Sequence, residues 1–153
     1  MKKRRFFALF LVLGLLVSLL SVPVSAFEEI DVDARAALLV EKETGEILYE
    51  KNAHEKNYPA SITKLTVALL VFEAIDAGQL SLDQPITAHE SAFEGLSIYG
   101  STAGIKAGEV LTVEQLLQCM LIVSANEACN ILAEAVCGEG NISQFVQRMN
   151  ERA

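Results

Sequence analysis

The chain has 153 residues, room for one modest domain, with 12 basic and 20 acidic residues and a formal net charge of −8. That balance speaks against nucleic acid as a partner and against electrostatic adhesion to an anionic membrane. Three cysteines, Cys119, Cys129 and Cys137, are too few for a disulfide framework.

The chain opens with Met1-Lys2-Lys3-Arg4-Arg5, continues through an apolar run over residues 6–22, and reaches Pro23-Val24-Ser25-Ala26. A basic start, an apolar middle and small residues at −3 and −1 describe a secretory signal peptide cut after Ala26. The run is slightly short for a span at about 1.5 Å per residue across roughly 30 Å, and an uncleaved anchor is the alternative. Either way, the rest of the chain is expected to be exported. With the four basic residues of the leader set aside, eight remain against 20 acidic ones, a net charge of −12.

Residues 36–40 and 46–49 read as two short strands around Glu41-Lys42-Glu43-Thr44-Gly45, whose glycine suits the positive-φ position of a hairpin loop. A polar connection over 52–58 carries His54, read as a loop residue. Tyr58-Pro59-Ala60-Ser61-Ile62-Thr63-Lys64-Leu65 then opens a strongly apolar helix over 61–77, with Leu65, Ala68, Leu69 and Phe72 at helical spacing and Gly78 as its stop. Apolar residues continue around the remaining faces, so this helix is expected to be buried on most sides.

Ser61 and Lys64 stand three apart, on one helical face. A serine hydroxyl needs a neighbouring base to act as a nucleophile. A lysine can be that base where desolvation and neighbouring charge favour its neutral amine. A helix N-terminus also favours a developing oxyanion. Alone, however, Ser-x-x-Lys occurs by chance in many chains, and the bare motif reads first as a serine cap and a solvated surface lysine.

Residues 79–109 are rich in loops, with short extended pieces expected within 82–87 and 105–111. His89 lies there without an evident partner. Thr112-Val113-Glu114-Gln115 is a capping box, opening a helix that uses Leu116, Leu117, Met120 and Leu121. Ser124-Ala125-Asn126 interrupts it, and a second apolar pattern runs from Ala128 to Gly138. Residues 143–152 start a last amphipathic helix. By itself Ser124-Ala125-Asn126 is an N-cap turn. Cys129 and Cys137, eight apart on one predicted helix, are separated by about 12 Å along its axis and cannot be bridged. Without partner histidines, the cysteines form no metal site. All three are expected to be buried apolar residues, with a bridge from Cys119 to either of the others left open.

Taken together, these residues resemble the serine-type D-alanyl-D-alanine carboxypeptidases, the low-molecular-mass penicillin-binding proteins. The stretch from Ala37-Leu38-Leu39-Val40 to Asn52-Ala53 is similar to their N-terminal hairpin. Pro59-Ala60-Ser61-Ile62-Thr63-Lys64-Leu65 is similar to their nucleophile motif, and Ser124-Ala125-Asn126-Glu127-Ala128 to their second motif, which often has glycine in place of Ala125. The resemblance implies an α+β, β-lactamase/transpeptidase-like fold in which a helical cluster packs on an antiparallel sheet. It implies Ser61 as acylated nucleophile, Lys64 as general base, Ser124 as proton relay and Asn126 as a substrate-positioning residue. No cofactor and no metal are implied. The expected partners are peptidoglycan stem peptides ending in D-Ala-D-Ala and, as acylating inhibitors, β-lactams, met on the periplasmic or cell-wall side of the cytoplasmic membrane.

The family's third motif, Lys-Thr-Gly, is absent from these 153 residues. Residues 27–153 are therefore read as the N-terminal part of the domain, ending before the strand that binds the substrate carboxylate and completes the oxyanion hole. Such a piece is expected to have little carboxypeptidase activity alone, and its hairpin to keep an unpaired edge and an uncovered apolar face. A class A β-lactamase-like hydrolase, which shares Ser-x-x-Lys and has Ser-Asp-Asn as second motif, and a non-enzymatic penicillin-recognising fragment are the alternatives.

Overall fold

The computed structural model describes residues 31–152, and the signal segment expected over 1–26 lies outside the described residues. The chain divides into two units after Lys56.

In the first unit, β1 (Ala37–Val40) and β2 (Ile47–Lys51) pair antiparallel, with Leu38 opposite Glu50, Leu39 opposite Tyr49 and a register shift between Leu39 and Val40. The turn is built by Glu41. Its carboxylate accepts from the Thr44 N–H at 2.6 Å and the Thr44 hydroxyl at 2.7 Å, and Gly45 takes φ +73°. The Thr44 hydroxyl, with the Glu43 and Thr44 N–H groups, holds the Glu41 carboxyl below its ordinary range. Leu38, Leu39, Val40, Ile47 and Leu48 are exposed, as expected of a two-stranded ribbon with an uncovered apolar face.

The second unit holds the helices. A 3-10 turn, Ala60–Ile62, leads into α1 (Thr63–Asp76), and Gly78 at φ +70° lets the chain leave it. β3 (Pro85–Thr87) pairs antiparallel with β4 (Val110–Thr112). Thr112 then caps α2 (Val113–Ile122) by the reciprocal box with Gln115: the Gln115 N–H donates to the Thr112 hydroxyl and the Thr112 N–H to the Gln115 side chain. α3 (Asn126–Cys137) packs against α1, α2 and the last helix, α4 (Ile142–Arg152). Val71, Val113, Leu116, Met120, Ile131, Leu132 and Phe145 fill the space between them and are almost wholly buried. Arg152 ties the end of α4 to Glu73 on α1 at 2.8 Å.

Three expectations need correction. α1 is not buried on most sides. Val67, Ala68, Leu70, Val71 and Ala74 face the core, whereas Leu65, Leu69 and Phe72, three of the four residues singled out by spacing, are exposed and only the fourth, Ala68, is buried. When nearly every position is apolar, periodicity cannot say which face has neighbours. The cysteines are all free and half-buried rather than buried. His89 has a partner, the Glu139 carboxylate 3.7 Å from its Nδ1, brought near by the turn between α3 and α4.

Candidate active site

Ser61 sits in the 3-10 turn just before α1, and Lys64 one residue inside the helix. The backbone at Ala60 is left-handed, φ +48°, a conformation an alanine adopts only against a steric cost. This bend delivers Ser61 to the helix start. One turn on, the Lys64 amine lies 3.5 Å from the Ser61 hydroxyl and donates to the Asn126 side-chain oxygen at 2.8 Å.

The other half of the cluster comes from the break between α2 and α3. Ser124 has φ +62°, and the Ala125 N–H turns back to the Cys119 carbonyl at 3.1 Å. Ser124 is not the N-cap of α3: that position is Ala125, without a side-chain cap bond. Its hydroxyl is instead 2.9 Å from the Ser61 hydroxyl. A non-glycine residue held in a left-handed conformation, with its polar atom aimed at another hydroxyl instead of a helix end, is how strain is stored at functional sites.

The fold thus brings together all four residues singled out from the sequence, Ser61, Lys64, Ser124 and Asn126. Ser61, Lys64 and Asn126 line a cleft of about 630 Å³, whose walls include Leu96, Cys129, Asn130, Ile142, Phe145 and Met149. Sequence reading missed these wall residues because they come from separate segments and carry no motif. Asn130 fixes one wall by donating to the Ala92 carbonyl at 2.8 Å. Burial pushes the Cys129 thiol up to about 11, so it stays protonated and weakly nucleophilic at neutral pH.

A second omission is Glu127, 3% exposed in the first turn of α3. Burial raises its pKa. Hydrogen bonds from the Thr102 hydroxyl and from the N–H groups of Glu127, Ala103 and Ile105 outweigh that, leaving it below the ordinary 4.5. A depressed carboxyl adds stability that is complete above its unfolded pKa and is lost as pH falls through the folded one. The melting-temperature advantage of wild type over Glu127→Gln should therefore be constant from about pH 7 to about pH 5 and shrink at lower pH. A gap that does not change down to about pH 3 would show that the ionised form is not the stabilising species.

Among the described residues no group of three or more His, Cys, Asp or Glu side chains is arranged to hold a metal ion. None of their helices is long and apolar enough to cross a membrane. A serine hydroxyl with an amine one helical turn away, a second hydroxyl in contact and an amide holding the amine meets the geometric requirement of nucleophilic catalysis by serine, a hydroxyl with a basic group within reach.

The family model for D-alanyl-D-alanine carboxypeptidases (peptidase S11) matches residues 23–153, and the chain belongs to this family. The D-alanyl-D-alanine carboxypeptidase DacF of Bacillus subtilis is 36% identical over 121 residues, 79% of this chain and 30% of its own length. The crystal structure of DacD from Francisella tularensis superposes with a TM-score of 0.75 at 33% identity, over 86% of this chain and 31% of that one. Penicillin-binding protein D2 of Listeria monocytogenes in its ampicillin-bound form gives a TM-score of 0.66 at 30% identity, over 82% of this chain and 47% of that one. The α+β fold is that of the penicillin-binding proteins. The chain spans about a third of the length of the curated relatives it matches. The class A β-lactamase alternative is not favoured by these matches.

Proposed function

We propose that the whole protein is a serine-type D-Ala-D-Ala carboxypeptidase that removes the terminal D-alanine of peptidoglycan stem peptides through an acyl-enzyme at Ser61. The observation that carries this reading is the contact of the Ser61 hydroxyl with both the Lys64 amine and the Ser124 hydroxyl at a sizeable cleft. In the first step the Ser61 oxygen attacks the carbonyl of the penultimate D-alanine while its proton passes to the Lys64 amine. The bond to the terminal D-alanine then breaks, and the leaving nitrogen takes a proton returned through Lys64 and the Ser124 hydroxyl. Water, deprotonated by the same groups, attacks the ester carbonyl, restoring the Ser61 hydroxyl and releasing the shortened peptide. Asn126 holds Lys64 through its oxygen, and its amide N–H groups are suited to a substrate carbonyl.

β-Lactams mimic such an amide, and the Listeria relative is described in ampicillin- and cefotaxime-bound forms. On this reading they acylate Ser61. Residues 1–26 would export the chain to the side of the membrane where peptidoglycan lies, and residues 27–153 would form the N-terminal part of the transpeptidase-like domain.

The test is to incubate the whole protein with a penicillin and map the adduct by peptide mass spectrometry, with D-alanine release from diacetyl-Lys-D-Ala-D-Ala measured in parallel. The adduct should fall on Ser61, and Ser61→Ala should lose both adduct and release. An adduct on another residue, or undiminished labelling of Ser61→Ala, would end the proposal.

A further inference from the structure

The loop over residues 97–105 passes along α3 beside Asn126, and one buried carboxylate holds it there. We propose that Glu127 is a positioning residue for the active site: by clamping this loop it fixes the Asn126 side chain against Lys64. In its consequence for acylation this inference rests on the proposed function; in its geometry it does not.

One oxygen of Glu127 accepts both the Thr102 hydroxyl and the Ala103 N–H, each at 2.7 Å. The Thr102 hydroxyl in turn accepts the Gly104 N–H at 2.8 Å. The loop's far end is fixed because Ile105 enters the core. Its near end touches Asn126 twice. The Asn126 N–H, one of the donors a helix start leaves without an intrahelical partner, is accepted by the Ser101 carbonyl at 2.9 Å. Gly100 lies so near the Asn126 amide that a Cβ there would stand 2.6 Å from Nδ2 and 3.0 Å from the Ser97 carbonyl. Gly100 is thus a wall against which the amide rests, and the opposite end of that amide receives the Lys64 amine at 2.8 Å.

The chain of contacts runs from Glu127 to the loop, from the loop to Asn126, and from Asn126 to the base. The carboxylate that closes the loop stands next to Asn126 in the first turn of α3, so the loop it holds is the one that meets the Asn126 backbone and amide.

The test uses the full-length protein and a fluorescent penicillin, separating the dissociation constant of the initial complex from the acylation rate constant, with melting temperature measured on each variant. Glu127→Ala should lower the acylation rate constant roughly 10²-fold, the scale of a small misplacement of a reacting group, with initial binding within about twofold. Glu127→Gln keeps an amide oxygen for Thr102 and Ala103 and should recover most of that loss. Gly100→Ala should reproduce the defect from the other side by displacing the Asn126 amide. If Glu127→Ala does not fold, Glu127→Gln and Gly100→Ala decide the matter. Acylation in Gly100→Ala within twofold of wild type overturns the inference, as does a Glu127→Ala protein that is less stable yet acylates normally. Should the wild type itself fail to be acylated, the proposed function falls. The positioning inference is then judged by the Asn126 side-chain amide resonances, which must shift in both variants; unchanged resonances overturn it.

Discussion

Replacing Lys64 by arginine is expected to slow acylation of Ser61 by about 10²–10⁴-fold, the usual loss on removing a general base. Arginine can still donate to the Asn126 oxygen, now 2.8 Å from the Lys64 amine. It cannot accept the proton of the Ser61 hydroxyl, because a guanidinium stays protonated. The substitution therefore separates hydrogen bonding to Asn126 from basicity at the group within reach of the Ser61 hydroxyl. Stopped-flow measurement with a fluorescent penicillin should show the loss in the acylation step, with binding of the intact antibiotic little changed. A rate within tenfold of wild type would remove Lys64 from the role of base and leave it as an electrostatic contact.

The second large effect is on stability. Phe145 is 1% exposed and is the buried residue of α4. It also lines the cleft that holds Ser61, Lys64 and Asn126. Phe145→Ala should cost about 3–5 kcal/mol, combining lost transfer energy with the cavity left behind. Domains of this size are stable by only about 5–15 kcal/mol. The variant should thus unfold at a much lower urea concentration, with an unchanged slope if the native state stays compact. A loss under about 1 kcal/mol would mean that α4 contributes little to holding the second unit together. Reduced acylation without reduced stability would instead assign the ring to the cleft alone.

Much of the site was legible in the sequence because its chemistry is written in short spacings. Ser61 and Lys64 are three apart, so one helical turn places their polar atoms near each other whatever the rest of the chain does. Thr112 and Gln115 form their capping box for the same local reason. Gly45 and Gly78 mark positions where the chain turns through positive φ, which glycine tolerates best. Ser124 and Asn126 were recognisable only through the family resemblance. On local grounds Ser124 reads as an N-cap, and the structure gives that position to Ala125.

What the tertiary structure decided are the matters that depend on distant segments meeting. The approach of the Ser124 hydroxyl to Ser61 spans 63 positions and needs both α1 and α3 packed on one core. Which face of α1 is buried could not be read from a helix apolar all round; the location of α2, α3 and α4 selected Val67, Leu70, Val71 and Ala74 and left Leu65, Leu69 and Phe72 outside. The partnership of Glu127 with Thr102 and Ala103 is of the same kind. A glutamate in the first turn of a helix is ordinarily a solvated residue favoured by the helix dipole. Only the loop folded over it makes it a buried clamp, because desolvation and hydrogen bonding are properties of what surrounds a residue and not of the residue itself.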